Sequence, residues 1–278
     1  MSLSVGKACA PGPTLRGIGV NLVNWTALLG RPRRFKASRL LPPWRRLALG
    51  GLAGIALVVL AMQFLDARGM AFARTLPTGL VDTFNEITDF GQSGWFLVPL
   101  AVLIVLAAAL ATPAAGRVTS LVLASLAVRF GYLFFAIAVP GLFVTIVKRL
   151  IGRVRPSDVG PFAYVPWSWR NEYASLPSGH STTAFAAAVA IAAIWPKARI
   201  PMLIYAAIIA LSRVVITAHF VSDVVAAAFV GGFGAILVRN WYASRGLAFV
   251  PEFDGSVRAK PGPSWRRIKS VAAKLSGR

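Results

Sequence analysis

The chain has 278 residues, of which 56% are hydrophobic and 14% charged, too apolar and too poor in charge for an ordinary soluble domain. Its net charge of +21 raises the question of nucleic-acid binding, but nine of the thirty Lys/Arg precede Leu47, nine follow Val238, and no acid occurs in the first 65 positions. Basic ends flanking an apolar body fit the positive-inside rule and anionic lipid headgroups, with no nucleic-acid motif behind them. A single cysteine, Cys9, excludes an intramolecular disulfide and a cysteine-rich metal site.

Residues 1–46 read as a basic cytoplasmic tail, with a juxtamembrane cluster from Arg31 to Arg46 and a short surface helix near Asn21–Leu29. The apolar run behind it starts too late and is too long for a secretory signal. The first span is Leu47–Leu65. Residues 66–93 are a polar outer loop holding Asp66, Asp82, Glu86 and Asp89. The second span, Gly94–Ala111, stops at Thr112-Pro113. The third, Thr119–Val147, is too long for an upright helix, so a tilted one is expected, with Arg129 near the inner interface and a kink at Pro140-Gly141.

Residues 148–176 are polar and aromatic, and their rings suit an anchoring belt at the membrane interface. The remaining spans are Ser181–Trp195, Ile200–Ala218 and Val221–Val238. Residues 239–278 close the chain as a second basic cytoplasmic tail, either solvated or partly an amphipathic surface helix carrying Arg266, Arg267, Lys269 and Lys274. The expected fold is therefore an all-α integral membrane protein with six transmembrane helices over 47–238. Six spans put both ends on one side. They also bring 66–93, 148–180 and 212–223 to the opposite, outer face.

Three polar clusters then share that face: Lys148 to Pro156, Pro177-Ser178-Gly179-His180, and Ser212-Arg213 through His219 to Asp223. Together they hold the parts of a phosphoryl-transfer site. The Lys and Arg residues of the first and third clusters supply fixed cations for the equatorial oxygens. Ser178 and Gly179 open a helix whose N–H groups and glycine backbone suit a close-lying anion. His219 and Asp223 are helix neighbours, so the carboxylate fixes one ring nitrogen and frees the other. The two histidines divide nucleophilic and acid–base work, and His180 can protonate a departing oxygen. Taken singly, each residue also has an ordinary account as a flanking charge, a turn or an interfacial ion pair. A zinc site lacks a third ligand and is crowded by arginines.

The joint pattern resembles the type 2 phosphatidic acid phosphatase superfamily of membrane lipid phosphatases. Lys148 is followed by six residues and Arg155-Pro156, then by Pro177-Ser178-Gly179-His180, then by Ser212-Arg213, five residues, His219, three residues and Asp223. All eleven specified positions are present in order. The resemblance implies a type 2 phosphatidic acid phosphatase-like helical core and catalysis without a cofactor or metal. It implies His219 as the nucleophile forming a phosphohistidine, Asp223 orienting it and His180 as the general acid. Lys148, Arg155, Ser178, Gly179 and Arg213 would hold the phosphate. The implied substrate is a phosphorylated lipid at the periplasmic face of an inner membrane: phosphatidate, phosphatidylglycerophosphate, a polyprenyl diphosphate or lipid A 1-phosphate. A lipid phosphotransferase using the same phosphoenzyme and a vanadate haloperoxidase-like enzyme are the alternatives. The oligomeric state is not legible.

Overall fold

A computed structural model describes residues 14–35, 44–156, 160–252 and 256–276. Cys9, Lys36, Arg39 and Asp158, and with them much of the expected N-terminal tail, lie outside the described residues. In chain order the helices are α1 (Leu15–Ala27), α2 (Trp44–Phe64), α3 (Asp66–Ala73), α4 (Thr78–Asp89), α5 (Gly94–Leu110), α6 (Arg117–Ile151), α7 (Gly179–Ile194), α8 (Arg199–Val215) and α9 (Val221–Ser244). Strands β1 (Phe249–Pro251) and β2 (Val257–Ala259) pair antiparallel, and α10 (Trp265–Leu275) ends the fold.

Among the described residues, five helical stretches are long and apolar enough to cross a membrane: Trp44–Phe64, Thr78–Leu110, Arg117–Ile151, Pro196–Val215 and Val221–Ser244. The sixth apolar helix, α7, is shorter at 16 residues. It is the central helix, packed by α6, α8 and α9. Its buried face is made almost entirely of Ala, Ser and Thr, which lets neighbouring backbones approach closely. A Cβ on Gly231 of α9 would stand 2.5 Å from the Thr182 carbonyl oxygen, so α7 and α9 meet backbone to backbone. The outward surfaces of α2 and α5 carry exposed Leu49, Leu52, Ile55, Val98, Val102 and Leu106, the apolar exterior that hydrocarbon requires.

Several expectations need correction. The 66–93 segment is not a plain loop but two helices, α3 and α4, and its first acid, Asp66, is fully buried. Of the two readings of the C-terminal segment, the described residues 239–252 and 256–276 show the helix rather than the solvated tail: α10 carries Arg266, Arg267, Lys269 and Lys274. Helix α9 continues past Val238 to Ser244, and Phe249 of the hairpin is completely buried, 4.7 Å edge-on from the Tyr132 ring. Arg129 fastens the same segment by donating to the Lys260 and Pro261 carbonyls at 3.0 Å each. The apolar surface of Phe249 outweighs the polarity around it. Near the N-terminus, α1 docks on α5, where Asn21 Nδ2 donates to the Ala108 and Ala111 carbonyls at 2.9 and 3.0 Å and closes the end of α5.

Alternating helix direction brings the C-terminal ends of α6 and α8 to the N-terminal ends of α7 and α9. The chain leaves α6 through Gly152, which is left-handed at φ 65° and caps the helix by donating to the Lys148 carbonyl. Gly152 then exchanges backbone contact with Val165, whose N–H reaches the Gly152 carbonyl at 2.7 Å. This crossing carries Arg153 and Arg155 over the ends of the central helices.

Candidate active site

At that end, His219 occupies the short connection between α8 and α9. Its backbone N–H donates to the Arg213 carbonyl at 3.1 Å, so the last turn of α8 sets its position. The side chain is 3% exposed, and Nδ1 lies 3.5 Å from Asp223 Oδ2, one helical turn away. That is an ion-pair separation rather than a close hydrogen bond. The Asp223 carboxylate is already engaged: Oδ2 accepts from Ser175 Oγ at 2.5 Å and from the Phe220 N–H at 3.0 Å, and Oδ1 accepts from Arg153 at 2.6 Å. A carboxylate held this way cannot turn from the imidazole.

The phosphate-holding candidates surround the ring. Lys148 lies in the last turn of α6, within electrostatic reach of Arg149 and Arg155. Arg155 is held by its own N–H to the Glu172 carbonyl at 2.9 Å and by Nε to the Asn171 carbonyl at 3.0 Å. Burial lowers its pKa; Asp223 opposes that and Arg149 adds to it. Arg213 donates one terminal nitrogen to Thr88 Oγ1 at 2.9 Å, while its Nε is buried with no partner. None of Lys148, Arg155 and Arg213 forms an ion pair with a carboxylate among the described residues. Three cations without an ion-pair partner, one of them with an orphaned buried donor, suit an oxyanion, and Asp223 and Asp89 act on Arg155 and Arg213 only at longer range.

Ser178 is the N-cap of α7, fully buried, and its N–H donates to the Asp223 carbonyl oxygen at 3.1 Å. Its Oγ accepts from Ser181 Oγ at 3.1 Å, leaving its own proton available to an anion. Gly179 follows, and a Cβ there would meet nothing within 4 Å. Helix packing therefore gives no reason for a glycine at this place, whereas close approach of an anion to the N-terminus of α7 does. Gly179→Ala is expected to leave the melting temperature unchanged and to raise KM by about ten- to hundredfold. A lowered melting temperature with normal KM would show a structural role instead.

His180, the second residue of α7, lies within electrostatic reach of His219, Arg213 and Arg155. The α4–α5 turn presses against it, since a Cβ on Gly91 would stand 3.1 Å from His180 Cβ. The structure thus brings Lys148, Arg155, Ser178, Gly179, His180, Arg213, His219 and Asp223 to one place. Sequence reasoning missed Asp66, Ser175, Ser222 and Thr88, and left Arg153 among the flanking charges. Buried hydroxyls and a carboxylate from distant segments carry no spacing signal. Among the described residues no cluster of three or more His, Cys, Asp or Glu could hold a metal ion.

Comparison with known proteins gives a consistent result. Residues 129–247 match the model of the PAP2 superfamily. The chain is 33% identical over 209 residues to a lipid A 1-phosphatase of Rhizobium etli, covering 73% of this chain and 88% of that protein. It is 32% identical over 209 residues to a lipid A 1-phosphatase of Rhizobium johnstonii, covering 73% and 84%. Among solved structures, the transmembrane PAP2-type phosphatidylglycerolphosphate phosphatase of Bacillus subtilis aligns with a TM-score of 0.43 at 18% identity, covering 82% of this chain and 96% of that one.

Proposed function

The chain belongs to the PAP2 superfamily and is a membrane lipid phosphatase, a phosphoric ester hydrolase; from that premise we propose that it removes the 1-phosphate of lipid A through a phosphohistidine intermediate. The observation that carries the chemistry is the pair of cations without an ion-pair partner, Arg155 and Arg213, beside His219 and Asp223, with Lys148 in reach of Arg155. The substrate class rests on the two lipid A 1-phosphatases.

In the proposed first step, Nδ1 of His219 faces Asp223, so Nε2 attacks phosphorus while the bond to the lipid oxygen breaks. His180 gives that oxygen its proton, and the cations take up charge on the equatorial oxygens. In the second step His180 accepts a proton from water as the water oxygen attacks phosphorus. Phosphate leaves and His219 returns neutral. The basic ends of the chain belong on the cytoplasmic side, which turns the site toward the periplasm and the outer leaflet of an inner membrane.

Attack requires a neutral His219. Burial lowers its pKa from the ordinary value; Asp223 opposes this, and Arg213 and Arg155 reinforce it. Hence the acid limb of kcat/KM, where His219 takes up a proton, is expected below about 6.5, while the need for a proton on His180 sets a separate alkaline limb. An acid limb above that value would contradict the assignment.

The deciding experiment is phosphate release by purified protein in detergent with a chelator present. Lipid A 1,4′-bisphosphate, phosphatidate, phosphatidylglycerophosphate and undecaprenyl diphosphate are the substrates. Release from lipid A, with the 4′-phosphate retained, is expected. Release only from another lipid would replace the substrate. Transfer to an acceptor lipid without free phosphate would make the protein a phosphotransferase.

A further inference from the structure

Arg153 is the most fully enclosed large side chain at the site, 0% exposed, and its guanidinium spends every direction of its fork on protein. Nε and one terminal nitrogen donate to the Pro161 carbonyl at 3.1 and 2.8 Å. The same terminal nitrogen donates to Asp66 Oδ2 at 2.7 Å, and the other to Asp223 Oδ1 at 2.6 Å and Ser222 Oγ at 2.7 Å. The cation also lies 4.3 Å above the Phe220 ring. Nothing is left to meet a substrate, so Arg153 differs in kind from Lys148, Arg155 and Arg213.

Asp66, the first residue of α3, is equally buried. It accepts the Ser222 N–H at 2.9 Å and Ser222 Oγ at 2.6 Å, which fixes the first turn of α9 directly before Asp223. The chain of contacts therefore runs Asp66, Arg153, Asp223, His219, from a helix outside the motif region to the attacking ring. Burying two carboxylates on one guanidinium is costly, and here close hydrogen bonds to the guanidinium and to Ser222 offset that cost.

We propose that Asp66 and Arg153 are positioning residues for the nucleophile: through the buried guanidinium, Asp66 sets both the orientation of the Asp223 carboxylate and the amount of its negative charge that His219 feels. This rests on the proposed role of His219. The groups facing His219 are Asp223 from α9, Arg213 from α8, Arg155 from the crossing after α6, and His180 from α7. Arg153 and Asp66 act on it only through Asp223. The Arg153 charge itself is secure, because burial disfavours it but Asp223 and Asp66 together more than offset that and raise its pKa.

The two residues have opposite electrostatic effects, and that separates positioning from mere scaffolding. In Asp66→Asn the guanidinium charge falls wholly on Asp223, His219 becomes harder to protonate, and the acid limb of kcat/KM moves to lower pH. In Arg153→Gln the Asp223 charge is uncovered and the limb moves to higher pH. Both variants are expected to lose about ten- to hundredfold in kcat, with KM within about twofold of wild type. The probe is phosphate release from lipid A 1,4′-bisphosphate in mixed micelles across pH, on protein shown to be folded by thermal melting.

Limbs that stay in place, or that move in the same direction, overturn the inference even if kcat falls. If Arg153→Gln does not accumulate as folded protein, the near-isosteric Asp66→Asn decides alone: a limb at lower pH supports the inference and an unmoved limb defeats it. His219→Ala is measured alongside. Wild-type turnover in that variant removes the phosphohistidine reading itself, whereas an inactive His219→Ala beside an unaltered Asp66→Asn defeats only the positioning roles.

Discussion

His219→Ala is expected to lose about 10^4-fold or more in turnover while remaining folded, because it removes the bond-forming atom and little else. The backbone N–H that ties residue 219 to Arg213 survives the change. The ring's contact with Asp223 is a 3.5 Å approach rather than a strong hydrogen bond, and Asp223 keeps its bonds from Arg153, Ser175 and the Phe220 N–H. The lost packing costs about 1–3 kcal/mol, which lowers the melting temperature without unfolding the protein. Two measurements check this. Steady-state phosphate release should vanish. A rapid quench into alkali should recover acid-labile phosphate on wild-type protein and none on the variant. Retained release would move the covalent step to another residue.

Gly152→Ala should have the second large effect, and by the opposite route. A Cβ at this position would lie 1.8 Å from the Val165 carbonyl oxygen and 2.3 Å from its carbon. Both are backbone atoms, so no rotamer change relieves the clash. The left-handed conformation adds about 1–2 kcal/mol for a residue with a side chain. The crossing of 152 over 165 must open, and Arg153 and Arg155 leave with it. Loss of about 4 kcal/mol or more is expected, together with loss of phosphate release. Thermal melting and activity should fall in parallel. Normal melting with normal activity would show that the crossing yields easily. Gly179→Ala provides the contrast, since there activity should fall without the melting temperature.

Which features were legible follows from how each is encoded. The spans were readable because about 20 consecutive apolar residues are a local signal. The phosphate cations and both histidines were readable because they recur at fixed intervals beside span ends, and parity carried them to one face. Asp66 was not readable. It sits two residues beyond the end of α2, where an acid ordinarily marks an outer loop, and its partner Arg153 lies far along the chain. The helix α10 was one of the two readings open for the C-terminal segment, but the packing of the hairpin before it was not legible, for a related reason. Its charges resemble a solvated tail, while its fate is decided by Phe249 finding Tyr132 across the fold. Charge density describes a segment's surroundings only when no single buried ring outweighs it.

The shortness of α7 has a consequence for how a lipid reaches the chemistry. Sixteen residues span about 24 Å, less than the roughly 30 Å of hydrocarbon in a bilayer. Trp195, exposed at the far end, together with Lys197 and Arg199, suits an anchor at one interface. With that end so anchored and α7 upright, Ser178, Gly179 and His180 would lie about 6 Å short of the opposite hydrocarbon boundary. A lipid phosphate would then meet the catalytic groups below the headgroup plane, with its acyl chains left at their usual depth.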